Sequence, residues 1–321
     1  MERRETISSA KSARGVLGTG NRMTLDVPDE VRSQALADGH AAWLDGLPSV
    51  LDSLAQDWSL TIGATMRGGH TALVVEATLT DGAPSVLKIG IPGYRRQLGF
   101  EATVLDLAAG KSCARLIRRD LTRDALLLER LGPAMYEVIL DPRSQHDMLC
   151  DTVAQLWRPL DNDIDLPTGA DSARRMQHLI PQLWEELERP CSAATIDDAV
   201  ECADRRERAY HRRTSVLVHG DVHEANALQT EGGTFKLIDP VGLRAEPACD
   251  LGTIVRCTPD AGDDLRVRTE RLAARTGVDA TAIWEWGTVH RVIGGLNSVR
   301  IGFQPFGNLL LAEADRLTQT G

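Results

Sequence analysis

Strand-like and helix-like patterns occupy separate parts of this 321-residue chain, and their order limits the fold more than any other feature. Residues 60–130 hold short aliphatic and β-branched runs separated by turn signals such as Asp81-Gly82, with one helix pattern over residues 95–109. From about residue 136 onward, apolar residues recur at helical spacing instead. This order excludes an alternating βαβ fold and predicts a segregated α+β fold.

The predicted organisation is bilobal. An N-terminal lobe over residues 24–130 combines a helical stretch over residues 24–57 with an antiparallel sheet. A larger α-helical C-terminal lobe covers residues 136–321, and its pattern includes a predicted helix over residues 145–160. A short connector over residues 131–135 forms the hinge. Residues 1–23 are basic and lack periodicity, so we expect a flexible leader.

Charge and cysteine usage exclude several classes of protein. The net charge is −10, which disfavours binding to nucleic acid or to an anionic membrane surface, and residues 136–321 carry the whole of this surplus. The chain has no run of 18 apolar residues and no apolar core of a signal peptide. Its six scattered cysteines include no CxxC pair and are expected to be reduced thiols. We therefore expect a cytoplasmic, monomeric protein.

The strongest chemical signal lies in the C-terminal half. An apolar strand leads into the sequence HGDVHEAN over residues 219–226, and a second short strand ends at Asp239. Asn226 and Asp239 offer the hard oxygen ligands that Mg²⁺ prefers. Asp221 precedes the amide by five residues and can orient a hydroxyl and accept its proton. This set of groups is what phosphoryl transfer requires.

The N-terminal half supplies a matching cation. Lys88 sits in the apolar strand SVLKIG, where a buried ammonium is costly unless it is paired. Glu101 lies 13 residues further on, in the predicted helix, and is the expected partner. A lysine held in this way can contact the phosphates of a nucleotide.

Two further segments are candidates for nucleotide contacts. Gly68-Gly69 lies between two strands upstream of Lys88, where a flexible backbone can cover phosphates, although a plain hairpin turn explains it equally well. The connector begins after the run LLLERL, and backbone groups near Glu129 and Leu131 are expected to meet an adenine edge.

Six segments occur in a characteristic order over roughly residues 40–300. They are SVLK (85–88), Glu101, LLLERLGP (126–133), HGDVHEAN (219–226), LIDPVGL (237–243) and EPACDLG (246–252). In these segments the chain resembles the aminoglycoside phosphotransferases, which have a protein-kinase-like fold. More narrowly, it resembles the branch that holds streptomycin 6-kinases and hydroxyurea phosphotransferases.

The resemblance implies roles for individual residues. Asp221 would be the catalytic base or hydroxyl-orienting residue, and Asn226 and Asp239 would hold Mg²⁺. His219 would brace the catalytic loop, and Asp250 would support the same loop from the following helix. Lys88, placed by Glu101, would contact the phosphates of ATP.

The resemblance also implies an activity. The chain would move the γ-phosphoryl group of ATP to a hydroxyl of an antibiotic, most readily streptomycin or another aminoglycoside, and so confer resistance. Hydroxyurea, a viomycin-like peptide antibiotic and a small metabolite remain alternative acceptors, because the catalytic motifs are shared. A nucleotide-binding module without catalysis is a third hypothesis, although the base, the metal ligands and the lysine are all present.

Two positions depart from the family pattern. Ala225 stands where relatives often have glycine before the asparagine, which bears on the backbone shape of the loop. Cys249 stands where relatives commonly carry an aromatic residue, which bears on packing.

Overall fold

The N-terminal lobe of the computed structural model is built on one antiparallel sheet. The structure describes residues 25–69, 71–256 and 264–320. The strands of this sheet are β1 (Thr61–Met66), β2 (Ala72–Thr78), β3 (Pro84–Gly90), β4 (Leu116–Asp120) and β5 (Ala125–Glu129). They lie in the order β1-β2-β3-β5-β4. The central position of β3 places Lys88 in the middle of the sheet, opposite Leu126 of β5.

Helices cover both faces of this sheet. The N-terminal helices α1 (Asp29–Ala37) and α2 (Ala41–Trp58) pack against one face, where Leu127 is buried, and α3 (Arg95–Ala108) packs against the other, where Leu126 is buried. The two neighbouring leucines face opposite ways because successive side chains of a strand alternate between its faces. Burial on both sides explains the unbroken apolar run of β5.

The C-terminal lobe is mainly helical. Its helices are α4 (Met135–Val138), α5 (Pro142–Ala154), α6 (Gly169–Glu186), α7 (Ala193–Ala209), α8 (Ala248–Val255), α9 (Leu265–Thr276), α10 (Ala280–Arg300) and α11 (Phe306–Thr320). Its strands are β6 (Val216–Val218), β7 (Ala227–Gln229), β8 (Phe235–Leu237) and β9 (Leu243–Ala245), which pair as β6-β9 and β7-β8. The two small sheets carry the loops of the candidate site.

Backbone hydrogen bonds join the small β7-β8 sheet to the N-terminal lobe. The Ala114 N–H donates to the Leu237 carbonyl at 2.8 Å, and the Leu237 N–H donates to the Ser112 carbonyl at 2.8 Å. One hydrophobic core also runs from α3 through this sheet into α8 and α10. The segment that ends at Asp239 is therefore fixed against the lobe that carries Lys88.

The predicted α+β bilobal fold is confirmed, with local differences. The helical stretch predicted over residues 24–57 is two helices, because Gly39 adopts a φ of +79° between them. The helix predicted over residues 145–160 ends at Ala154. The Leu217 N–H donates to the Arg158 carbonyl and Pro159 bridges to Val216, so these residues join a strand instead.

Other sequence expectations have narrower outcomes. None of the described helices has the length and apolar character needed to cross a membrane. Five cysteines fall in the described ranges, and all five are free and buried. The expected flexible leader lies outside the described residues.

Candidate active site

Lys88 forms one of the contacts between the two lobes. Its Nζ donates to both carboxylate oxygens of Glu101 at 2.8 Å and to Oδ1 of Asp239 at 2.9 Å. Lys88 and Glu101 are both buried, whereas nearly half of the Asp239 side chain is exposed. The predicted pairing of Lys88 with Glu101 is present, and Asp239 joins it from the C-terminal lobe.

The ammonium of Lys88 stays charged in this environment. Burial by itself lowers the pKa of Lys88, but the carboxylates of Asp239 and Glu101 together outweigh that effect and leave the pKa above its ordinary value. Removing one partner of a buried ion pair typically costs about 3–5 kcal/mol. The two carboxylates therefore keep the ammonium group of Lys88 charged and in a fixed position, where it can contact the phosphates of a nucleotide.

The backbone at Asp239 is unusual. Asp239 has a φ of +58°, in the left-handed region that residues other than glycine seldom adopt. Aspartate tolerates this conformation better than most residues, and such strain clusters at functional sites. Here it turns the chain directly after β8, so that the carboxylate reaches Lys88.

The loop over residues 219–226, named the catalytic loop here for its expected role, is supported by Asp250 of α8. One carboxylate oxygen of Asp250 accepts from the His219 N–H at 3.1 Å and from Trp157 Nε1 at 2.9 Å, and the other accepts from the Gly220 N–H at 2.7 Å. Burial raises the pKa of Asp250 to about 6, although these donors favour its ionised form. The predicted supporting position of Asp250 matches this geometry.

His219 links the loop to the segment before Asp239. Its Nε2 lies 2.9 Å from the Ile238 carbonyl, and its Nδ1 accepts from the Asp221 N–H at 3.2 Å. This pattern requires a neutral ring that carries its proton on Nε2. Burial lowers the pKa of His219 to about 4, which is consistent with that neutral form. Both ring nitrogens of His219 are engaged with backbone groups. The residue therefore braces the loop and is not free to act as an acid or base.

Three side chains surround the carboxylate of Asp221. Oδ1 accepts from an Arg256 guanidinium nitrogen at 2.8 Å, and Oδ2 accepts from Asn226 Nδ2 at 3.3 Å. His223 Nε2 lies 3.6 Å from Oδ2. Desolvation raises the pKa of Asp221, but Arg256 and then His223 outweigh it, so the pKa is well below its usual range. About a third of the side chain is solvent-exposed, so a hydroxyl can reach it.

Asn226 and Asp239 have the chemistry of magnesium ligands. The Ile238 N–H donates to the Asn226 carbonyl at 2.9 Å, which ties the two segments together. The amide nitrogen of Asn226 is engaged with Asp221, so its oxygen is left for a cation. Within the described ranges no three His, Cys, Asp or Glu side chains form a metal cluster of their own. Magnesium typically takes one or two protein ligands together with water and substrate phosphates.

The connector is anchored to neighbouring segments on both sides of Leu131. The Glu129 side chain accepts from Lys236 Nζ at 2.5 Å and from the Arg115 N–H at 2.7 Å, so it joins the lobes. The Gly132 N–H donates to the Gln229 carbonyl at 2.7 Å. Leu131 is partly buried against the core between these two anchors. The connector is therefore fixed at both ends, and its contact with an adenine edge stays a prediction.

Gly68 and Gly69 form the turn between β1 and β2, next to the strand that carries Lys88. Gly68 has a φ of +112°, and a Cβ at Gly69 would lie 3.0 Å from the Ala72 carbonyl oxygen. The positive φ favours glycine at position 68, and a side chain at position 69 would be in tight contact with the backbone of Ala72. A hairpin turn accounts for them, and coverage of phosphates stays a prediction.

The two departures from the family pattern are accommodated. Ala225 does not belong to the positive-φ residues of the described chain, so its methyl group meets no backbone restriction. Cys249 lies on α8 and is completely buried in the hydrophobic core, where it packs as a small apolar side chain.

Sequence reasoning missed Arg256 and Thr253. Thr253 Oγ1 accepts from the Val222 N–H at 3.0 Å, and its one hydroxyl proton is shared between the Asp250 carbonyl at 2.7 Å and the Val222 carbonyl at 3.1 Å. Thr253 follows the EPACDLG segment on the same helix as Asp250, and Arg256 is the residue after that helix. The spacing of three residues between Asp250, Thr253 and Arg256 is visible in the sequence. It predicts contacts with the loop over residues 219–226 only when α8 is known to pack against that loop.

A buried lysine shared by two carboxylates, beside a loop that presents an aspartate and an asparagine, defines a protein-kinase-like phosphotransferase. The family model for aminoglycoside/hydroxyurea antibiotic resistance kinases matches residues 57–289. The chain belongs to this family. Membership of a kinase family implies ATP as the phosphoryl donor.

Curated relatives cover most of the chain. A streptomycin 6-kinase of Streptomyces glaucescens is 25% identical over 235 residues, which are 71% of this chain and 73% of the relative. A hydroxyurea phosphotransferase of Kitasatospora aureofaciens is 26% identical over 287 residues, which are 84% of this chain and 78% of the relative.

A solved structure supports the fold assignment. The choline kinase of Streptococcus pneumoniae aligns with a TM-score of 0.58 at 12% identity, covering 84% of this chain and 97% of that one. At this identity the match bears on the fold alone.

Proposed function

We propose that this protein transfers the γ-phosphoryl group of Mg-ATP to a hydroxyl of a small-molecule antibiotic. The observation that carries the proposal is the position of Lys88 between Glu101 and Asp239, beside the Asp221–Asn226 loop. These groups come from both lobes and converge where Lys88 of one lobe contacts Asp239 of the other. That convergence supports a nucleotide bound between the lobes and an acceptor bound over the loop.

Asp221 takes the hydroxyl of the acceptor in this proposal. Its low pKa makes it a weak base in the resting site, so its main task is to orient the hydroxyl towards the phosphorus atom. It accepts the proton as the oxygen–phosphorus bond forms. Lys88 contacts the phosphates, and Glu101 keeps the ammonium in place.

Asn226 and Asp239 would hold a magnesium ion through the amide oxygen and the carboxylate. Bound there, the ion neutralises phosphate charge and orients the oxygens of the nucleotide. The exposed fraction of Asp239 and the engaged nitrogen of Asn226 support this assignment.

A streptomycin-like aminoglycoside is our first choice of acceptor. Residues 136–321 hold 30 acidic and 20 basic side chains, so the lobe that would bind the acceptor is strongly negative. Such a field favours a polycationic acceptor. Phosphorylation adds negative charge to the drug and would abolish its binding to anionic RNA.

Hydroxyurea is the second candidate, because one curated relative carries that name. The groups that would act on the hydroxyl are the same for both acceptors, so they do not separate them. A viomycin-like peptide antibiotic or a small metabolite remains a further alternative.

We further propose that the protein works as a cytoplasmic monomer. The five cysteines of the described residues are free and buried, and reduced thiols suit a cytoplasmic setting. Nucleic acid and membranes play no part in this proposal.

An acceptor panel tests the proposed function. Purified protein is incubated with Mg-ATP and, separately, with streptomycin, kanamycin, viomycin and hydroxyurea. ADP release is followed by a coupled assay, and the acceptor is weighed by mass spectrometry. We expect streptomycin to gain one phosphoryl group. If no aminoglycoside gains one, our first choice of acceptor is wrong. If no acceptor in the panel does, the proposed function is contradicted.

A further inference from the structure

One face of α8 is devoted to the catalytic loop. Asp250, Thr253 and the residue that follows the helix, Arg256, are spaced three apart, so they lie on one side of the helix. Asp250 holds the amides of His219 and Gly220. Thr253 accepts the hydrogen bond of the Val222 N–H. Arg256 is the third residue of this set. Asp250 and Thr253 bond to backbone groups of the loop, whereas Arg256 bonds to one of its side chains.

That side chain is the carboxylate of Asp221. The Arg256 guanidinium lies 2.8 Å from Oδ1, and the arginine side chain is 20% exposed, so the contact is largely shielded from water. Arg256 also caps the C-terminal end of α8, where a positive charge is favourable. An arginine in such a setting loses little freedom and positions its partner well.

The two oxygens of Asp221 are held by different partners. Arg256 contacts Oδ1, whereas Asn226 Nδ2 contacts Oδ2 at 3.3 Å and the Asp221 carbonyl at 3.1 Å. Two anchors on opposite oxygens fix the rotation of a carboxylate group. They leave lone pairs of the carboxylate for an incoming hydroxyl.

We propose that Arg256 is a positioning residue that sets the orientation of the Asp221 carboxylate and thereby aims the acceptor hydroxyl at the γ-phosphorus. This inference rests on the proposed function. Removing Arg256 should therefore lower kcat, because Arg256 acts on the carboxylate that orients the acceptor hydroxyl. Lys88, Glu101 and Asp239 keep their contacts without it, so ATP binding is unaffected.

The test compares Arg256→Ala and Arg256→Lys with the wild type and with Arg208→Ala. Arg208 is a matched control because its pair with Asp204 is at the surface, where its side chain is 77% exposed. The measurements are kcat, the KM for ATP, the KM for the acceptor and the melting temperature. Slow ATP hydrolysis without an acceptor, in which water replaces the hydroxyl, is measured in parallel.

The expected result is a split between the constants. Arg256→Ala should lose about 100-fold in kcat, the scale of a misplaced catalytic group, with the KM for ATP within about twofold of wild type. Arg256→Lys should recover part of the loss, and added guanidinium ion should partly restore Arg256→Ala. Arg208→Ala should behave like wild type.

Three results would overturn the inference. The first is an Arg256→Ala enzyme with wild-type kcat. The second is a loss shared equally by ATP binding and melting temperature, which indicates a structural role. The third is a loss that neither lysine nor guanidinium ion relieves. A wild-type protein that neither transfers phosphate nor hydrolyses ATP would instead refute the proposed function, and the inference would fall with it.

Discussion

Among single residues, Lys88 carries the most direct link between sequence and site. An ammonium in the apolar frame SVLKIG needs a partner, which is why the sequence alone predicts Glu101. Asp239 also bonds to Lys88, but it is 151 residues away in the sequence and belongs to the other lobe. The pairing across lobes follows from the fold and not from local pattern.

Replacing Lys88 by methionine tests its role at the nucleotide. Lys88→Met keeps the length of the side chain and removes the charge, so we expect Mg-ATP to bind at least about tenfold more weakly, a loss of about 1.4 kcal/mol. Isothermal titration with Mg-ATP measures this. Lys111→Met, at an exposed turn residue, is the control and should bind ATP normally. Unchanged affinity in Lys88→Met would contradict the assignment.

His290 gives a test of pH dependence. It is buried in α10, stacked on Trp286 with ring centroids 5.6 Å apart, and burial lowers its pKa to about 3. The unfolded chain binds a proton near pH 6.5, but the folded chain does not until about pH 3. The stability that His290 contributes is therefore complete above about pH 6.5 and declines as the pH falls.

The variant His290→Gln removes this proton linkage. We expect the difference in unfolding free energy between wild type and variant to shrink by about 1.4 kcal/mol for each pH unit below about 6.5. Urea unfolding at pH values from about 7.5 to about 5 measures it. A difference that is constant over this range would show that His290 is not held neutral.

At the scale of elements, α8 shows what a motif reveals and what it conceals. The segment EPACDLG predicts Asp250 as a support, and the structure gives it three donors. Thr253 and Arg256 lie beyond the motif. Their partners, Val222 and Asp221, are more than 30 residues distant in sequence, so no local pattern pairs them.

The variant Thr253→Val tests this element. It keeps the shape of the side chain but leaves the buried Val222 N–H without its acceptor, which typically costs about 1–3 kcal/mol. Urea unfolding measures the cost, and kcat should fall as the loop loosens. Thr103→Val is the control, because within the described ranges the Thr103 hydroxyl bonds to the Gly99 carbonyl of its own helix and to no other group. An equal effect of both variants would argue against a specific role for Thr253.

Other elements were predictable to different degrees. The strands β2, β3 and β5 are long and buried, so their composition identified them. The strands β7 and β9 have three residues each, too few for any periodicity. The helix α5 was predicted too long because Pro159 forms a bridge to Val216, and such a tertiary contact overrides a local pattern.

At the scale of the whole molecule, the acidity of the C-terminal lobe bears on acceptor choice. The entire surplus of negative charge belongs to residues 136–321. If it attracts a cationic acceptor, added salt should raise the KM for streptomycin several-fold without changing kcat, because salt screens long-range attraction. The KM for hydroxyurea, which is neutral, should not respond. Equal responses would show that the charge of the lobe does not select the acceptor.

In the proposed function, the Asp221 loop directs the transfer of phosphate to a hydroxyl between the two lobes. The most direct measurement is transfer from Mg-ATP to streptomycin by wild type and Asp221→Asn, with ATP affinity measured on both proteins. We predict that wild type phosphorylates the drug, whereas Asp221→Asn binds ATP equally well and transfers about 1000-fold more slowly. Transfer at the wild-type rate by a stably folded Asp221→Asn would contradict the account.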